Sequence, residues 1–127
     1  MSTQVQQASE WRTAVAAATG VEVFAYDDKP ADNELPDRYV LVHLDRRAGE
    51  SERACGGIAM RGWRLATRYV GRTLDEVRWL SDRMATLERT RQSVIGSTPL
   101  TFESSDPPEE RTGRWEAADV WTYSAPI

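Results

Sequence analysis

Apolar residues recur along this chain with two different periods, and the places where the period changes mark its elements. Val5, Ala8, Trp11, Val15 and Ala18 fall at three- and four-residue spacing among Ala, Gln and other good helix formers. This spacing predicts an amphipathic helix, and Gly20 stands where helices commonly end in a left-handed residue. The run Val21-Glu22-Val23-Phe24-Ala25-Tyr26 follows at once. Its β-branched and aromatic residues predict a strand, which Asp27-Asp28-Lys29-Pro30 breaks. Residues 28–38 hold Pro30, Asp32, Asn33, Pro36 and Asp37 and predict an exposed, flexible connection.

From Tyr39 to Leu44 the period becomes two. Val40, Val42 and Leu44 form one face and Tyr39, Leu41 and His43 the other, so this strand should be covered on both sides, by a helix of its own chain or by a neighbouring subunit. Arg46 to Arg53 is charged and aperiodic and is closed by Gly56-Gly57, which predicts a mobile hairpin tip over residues 46–57. In Ile58 to Val70, Trp63, Leu65, Thr67 and Tyr69 alternate with Gly62, Arg64, Ala66 and Arg68. The Trp63 face belongs to the core, and Arg64 and Arg68 then point together to the opposite side.

Thr73-Leu74-Asp75-Glu76 has the capping-box pattern of a helix start. Leu74, Val77, Leu80 or Ser81, Met84 and Leu87 continue a helical stripe to about Arg91, with Trp79 to one side. Ser93 to Phe102 predicts a strand. Ser104 to Gly113, with Pro107-Pro108 and Glu109-Glu110, has little apolar content and predicts a flexible loop over residues 104–114. Trp115 to Tyr123 supplies a closing strand. The order α-β-β-β-α-β-β predicts one α+β domain over residues 1–127, a mainly antiparallel sheet with two helices packed on it.

Composition narrows the classes. At 127 residues, 28% charged and 40% hydrophobic, the chain has the make-up of one globular domain and not of a disordered or membrane protein. It has no apolar run approaching the roughly 20 residues of a membrane span. Met1 to Gln7 lacks the basic and apolar regions of a secretory signal, so the expected compartment is the cytoplasm of the cell that makes it. Cys55 and His43 are the single cysteine and histidine. They allow no internal disulfide and cannot by themselves build a tetrahedral zinc site, and no metal or cofactor is expected.

Charge is unevenly spread. Residues 1–45 hold three bases and eight acids, residues 46–92 eleven and six, and residues 93–127 two and six, giving local balances of -5, +5 and -4. A basic middle between acidic ends suits head-to-tail self-association, and a basic face could also meet a polyanion.

Candidate chemistry is sparse. A thiolate mechanism would need His43 beside Cys55, but one sits on a strand and the other in a loop, so an ordinary strand histidine and an incidental cysteine are the simpler reading. Asp27-Asp28 and Glu109-Glu110 are adjacent carboxylates in turns, where acids ordinarily face water. Gly56-Gly57 lacks the spacing and lysine of a phosphate-binding loop. The strand around Trp63, Arg64, Arg68 and Tyr69 has the composition of a nucleic-acid platform. Alternation puts its rings and its charges on opposite faces, so they could not act on one bound strand. A binding module that uses this arginine face for nucleic acid or protein is the alternative to an assembly role, and an enzyme comes last.

The ordered pattern resembles the lambda-type tail terminator family of long-tailed bacteriophages, in the versions found in phages of actinobacteria. The resemblance runs through the N-terminal helix, Gly20-Val21-Glu22-Val23-Phe24, Pro36-Asp37-Arg38-Tyr39-Val40-Leu41-Val42 and Tyr69-Val70-Gly71. It continues through Thr73-Leu74-Asp75-Glu76-Val77, Asp82-Arg83-Met84 and Asp119-Val120-Trp121. Each piece alone describes an ordinary strand or helix start, and their order carries the likeness. It implies a non-catalytic virion protein at the head-proximal end of the tail, made in the host bacterial cytoplasm. Such a protein forms a ring, commonly a hexamer, that caps the tail tube, ends its polymerisation and docks the head-tail connector or stopper protein. The expected partners are further copies, the tube protein, the connector and, in passing, genomic DNA in the lumen; no membrane or cofactor is implied. On this reading Arg46, Arg47, Arg53, Arg64 and Arg68 are candidates for the subunit interface or lumen, and Asp106, Glu109, Glu110 and Arg111 for a docking loop.

Overall fold

The computed structural model describes residues 3–46, 52–53, 59–89 and 98–126. Helix α1 (Gln4–Thr19) opens on a full capping box, in which Gln6 N donates to Thr3 Oγ1 at 3.1 Å and Thr3 N donates to Gln6 Oε1 at 2.9 Å. It ends at Gly20, whose φ of 72° needs a residue without Cβ and whose N–H donates to the Ala16 carbonyl. The buried row is Gln7, Trp11, Val15 and Thr19, while Val5 is 78% exposed. The expected stripe through Val5 is therefore displaced at its start. Gln7 can be buried because the Tyr123 hydroxyl donates to its Oε1 at 2.6 Å, so its amide oxygen does not go without a partner.

The strands are β1 (Glu22–Ala25), β2 (Tyr39–Arg46), β3 (Glu52–Arg53), β4 (Ala59–Gly71), β5 (Thr101–Arg111) and β6 (Arg114–Pro126). They form one sheet in the order β1-β2-β4-β6-β5, with the two-residue β3 beside β4. β1 runs parallel to β2 and every other pairing is antiparallel. This is the expected α+β arrangement with the expected element order, to which β3 is a short addition. Both helices contact the sheet, α1 against β1 and β2 and α2 (Leu74–Ala85) against β4 and β6.

Alternation along β4 and β6 builds the core. Trp63, Leu65 and Tyr69 of β4 join Ala117, Trp121 and Tyr123 of β6 under Trp11 and Val15 of α1 and Val77, Leu80 and Met84 of α2. Trp11 and Tyr123 stack at a tilt with centroids 5.1 Å apart. Within this layer lies a closed polar network. The Tyr69 hydroxyl and Ser81 Oγ both donate to Asp119 Oδ2, at 2.8 and 2.9 Å. Thr67 Oγ1 sits 2.8 Å from the Tyr69 hydroxyl and accepts from the Trp121 indole at 3.3 Å. The network joins β4, β6 and α2, and its satisfied polar atoms specify one register for all three.

The second face of β2 is covered by the chain's own connection and not by a helix. Leu35 and Phe24 pack on Tyr39, Leu41 and Val70. The link runs through 3-10 turns at Tyr26–Asp28 and Asp32–Glu34. It is held by Arg114, which donates to the Pro36 carbonyl at 2.9 Å and lies over the Tyr39 ring, and by a 2.7 Å pair between Arg72 and Asp37. Only half of the second capping box forms. Glu76 N donates to Thr73 Oγ1, but the Glu76 carboxylate turns towards Arg38 at 3.7 Å. After Ala85 the helix tightens into a 3-10 turn at Thr86–Arg89, which keeps Leu87 in the core.

The loop expected over residues 104–114 is instead most of a strand and its turn. β5 is exposed along its whole length, so it has no core side chains to reveal it in the pattern. What holds it is backbone pairing with β6, from Thr101 opposite Thr122 to Arg111 opposite Arg114. The register shifts between Asp106 and Glu109, so Pro107 and Pro108 occupy an irregularity where an edge strand tolerates missing N–H groups. Thr112 (φ 47°) and Gly113 (φ 79°) close the hairpin with two positive φ values, the signature of a type I′ turn. Of the strand expected over Ser93 to Phe102, residues 90–97 lie outside the described residues and β5 begins at Thr101.

Two stability predictions follow from this packing. A β-branched residue in the left-handed region is costly, whereas Asn is at home there, so Thr112→Asn should raise stability by up to about 1 kcal/mol in chemical denaturation. Burial, reinforced at Tyr69 by the Asp119 charge, pushes the Tyr69 and Tyr123 phenols well above their ordinary range. A raised folded pKa means that stability is complete below the unfolded value of about 10 and is lost as pH climbs past it. The loss should be about 1.4 kcal/mol per pH unit for each of the two tyrosines, and an alkaline denaturation series monitored by tyrosinate absorbance will measure it.

Candidate functional site

The sheet face away from the helices carries most of the candidate residues. Pairing places Asp45, Arg64, Thr122 and Thr101 in one row, His43, Ala66, Val120 and Ser104 in the next, and Leu41, Arg68, Ala118 and Asp106 in the third. Tyr39, Val70, Glu116 and Glu109 form a fourth row. Arg64 and Arg68 therefore do share the face opposite Trp63 and Tyr69, as alternation requires. The rings of Trp63 and Tyr69 stay on the side opposite the Arg64 and Arg68 guanidinium groups, so these four residues form no joint platform.

These arginines are already engaged. Arg64 makes a two-pronged contact with Glu103, Nε to Oε2 at 3.0 Å and an Nη to Oε1 at 3.1 Å. The Glu103 hydrogen bond and charge, with Asp45 in a smaller part, raise the guanidinium pKa further above its ordinary value. Arg68 faces Glu116 at 3.8 Å, and Arg111 pairs with Glu109 and reaches Glu116 at 3.9 Å. Arg68, Asp106, Pro107, Glu109, Arg111 and Glu116 line a cavity of about 260 Å³. The candidate basic face and the candidate docking segment, separated in the sequence, thus form one continuous surface of paired charges.

Other candidates fall elsewhere. Arg46 is opposite Trp63 in register, so it projects to the helix side of the sheet and not beside Arg64. Glu110 is opposite Trp115 and likewise leaves the arginine face. Arg53 is placed by its backbone in β3, opposite Ala59. Arg47 and Cys55 lie outside the described residues. His43 is not among these but stands exposed on the arginine face, opposite Ala66, with Nε2 3.0 Å from Asp45 Oδ1 and its ring stacked on Tyr26 at 5.6 Å. Among the described residues no His, Cys, Asp and Glu side chains cluster as a metal site, and no helix is long and apolar enough to cross a membrane.

Sequence reasoning missed Glu103 and Glu116, the two carboxylates that neutralise Arg64 and Arg68. Nothing in their local sequence marks them, because each meets its arginine only across a strand pair. The same holds for Val5 and Phe102, which look like core residues and are exposed.

This fold recurs in a virion. A chain in the virion of a native gene transfer agent particle superposes on this one with a TM-score of 0.65, over 98% of this chain and 94% of that one, at 13% sequence identity. A second solved chain superposes with a TM-score of 0.58 over 100% of this chain and 98% of that one, at 14% identity. At these identities the likeness is one of fold, and it is nearly end to end in both chains. No family model and no curated protein matches the sequence.

An arginine face neutralised by its own carboxylates is a poor polyanion site, because phosphate would have to displace glutamates already in place. Arg64→Ala with Arg68→Ala is expected to leave any retention on duplex DNA, and its salt dependence, unchanged in a gel-shift titration. A salt-dependent affinity abolished by the double substitution would restore the nucleic-acid reading.

Proposed function

We propose that this chain is a structural virion protein of a long-tailed phage or phage-like particle, acting as the terminator of the tail. Copies form a ring, six in the simplest case, on the end of the finished tube. The ring stops tube polymerisation and offers its far surface to the head-tail connector. The observation that carries this reading is the fold shared, almost end to end, with a chain of a gene transfer agent virion. Fold alone does not assign a role. The second support is the resemblance of the ordered sequence pattern, from Gly20-Val21-Glu22-Val23-Phe24 to Asp119-Val120-Trp121, to that of the terminator family.

The physical character of the chain is compatible with this role. Its functional surfaces are extended sheet face and sheet edge, which suit repeated contacts between copies. Charged groups on the open face balance within the molecule, so a lumen lined by it would let DNA pass without holding it. The surface formed by Asp106, Glu109 and Arg111 is held on a paired strand and is already shaped for a neighbouring protein. A preformed contact of this kind loses less entropy on binding than an ordering loop.

Light scattering across a concentration series, followed by negative-stain imaging alone and with purified tail tubes, tests the proposal. The expected result is closed rings, free or seated on tube ends, and tubes that no longer lengthen once the protein is added. A chain that stays monomeric and leaves tube growth unaffected would overturn it.

A further inference from the structure

β2 outruns its neighbour β1. β1 ends at Ala25, opposite Val42, so among the described residues positions 43–46 of β2 have a strand only on their β4 side. At this step the side chain of Gln4 donates from Nε2 to the Leu44 carbonyl at 2.8 Å. A side-chain amide there does what the N–H of a neighbouring strand does within a ladder. Beside it, between α1 and β2, lies a cavity of about 280 Å³ with Val5, Ala8, Val42 and Leu44 among its apolar walls and Arg12 among its polar ones. Val5, the most exposed large apolar residue described, borders an unfilled groove next to an unfinished sheet edge.

The other edge of the sheet carries a matching feature. The outer side of β5 has no strand partner among the described residues. Its second half is closed to pairing by the irregularity at Pro107 and Pro108, since proline has no N–H to donate. Residues 101–105 contain no proline, and they carry Phe102, 45% exposed and resting edge-on against Trp121 at 5.5 Å. An open stretch of four residues on β2 thus finds a proline-free stretch of similar length on β5. On β5 Phe102 is followed by Glu103 and Asp106, whereas the open step of β2 is mixed in charge, with Arg12 and Arg46 beside Asp27 and Asp45. Two β5 edges meeting each other would oppose carboxylate to carboxylate, which disfavours that pairing.

We propose that residues 101–105 of β5 in one copy pair with residues 43–46 of β2 in the next, with Phe102 entering the groove beside Val5. This rests on the self-assembling role proposed above and names the surfaces that carry it. The occupant is a second copy of the chain, and the contact is heterologous. Each copy uses one edge to give and the other to receive, so the sheet runs on from molecule to molecule and closes as a ring when the rotation permits. An incoming backbone N–H would replace Gln4 at the Leu44 carbonyl, and the apolar surfaces of Val5 and Phe102 would leave water together.

Two single variants and their mixture test this. Phe102→Asp destroys the donor edge and Val5→Asp the receiving groove; both positions are exposed, and circular dichroism will verify that the fold is kept. Each variant alone should remain monomeric under conditions, with or without tail tubes, where the wild-type chain assembles. Their equimolar mixture should stop at a dimer, because it retains one competent pair of edges and no more. Either variant assembling like the wild type would overturn the edge pairing while leaving self-assembly intact, whereas a wild-type chain that never assembles would overturn both. Should a substitution unfold the chain, Asp45→Cys with Ser104→Cys in a Cys55→Ser background decides instead. A short bifunctional thiol reagent, which tolerates a one-residue change of register, should yield a ladder of linked copies, and monomer alone would overturn the proposal.

Discussion

Pairing of β4 with β6 is the constraint from which the rest of the molecule takes its shape. The two strands run together from Met60 opposite Pro126 to Gly71 opposite Trp115, and each residue's face is set by that register. A slip of one residue would carry Trp63, Leu65, Trp121 and Tyr123 out of the core and bring Arg64, Arg68 and Glu116 into it. Hydrophobic alternation makes such a slip costly, and the Asp119 network makes it costlier still. Asp119 finds Tyr69 on β4 and Ser81 on α2 only in this register, and a buried carboxylate without those donors would lose much more than a typical hydrogen bond contributes.

Because this pairing is buried and closed, function is left to the periphery. Arg64 and Arg68 are placed on the open face by the same alternation that buries Trp63 and Tyr69. They are then matched by Glu103 and Glu116, which arrive from strands late in the chain. Exposed ion pairs of this kind contribute little stability. Their effect is to flatten the electrostatic character of the face, turning a run of arginines into a surface suited to a protein neighbour more than to a nucleic acid. The sheet's two edges differ in the same productive way: one ends early beside an apolar groove, and the other is guarded by prolines over half its length and exposes Phe102 over the remainder.

Much of this was legible in the residues. The two periods, the Gly20 stop and the Thr73 helix start located both helices and four of the long strands' cores, and alternation alone separated the arginine face from the core face. Local pattern failed wherever a partner distant in sequence decided the outcome. Val5 continues a helical stripe but projects beyond the sheet, while Gln7 enters the core because Tyr123 meets its amide. Residues 104–111 lack apolar content because an edge strand held by backbone pairing needs no buried side chain. The second face of β2 invited a helix or another subunit and received Leu35 from the chain's own connection.

What the sequence by itself determined is the set of elements, their order, and which side of each is apolar, since these follow from period, propensity and capping among residues a few positions apart. Strand order, the parallel placement of β1, the neutralisation of Arg64 by Glu103 and the unfinished edge of β2 were decided only by tertiary structure. Each depends on which backbone groups find hydrogen-bond partners across many residues of chain, and no local pattern of side chains records that choice.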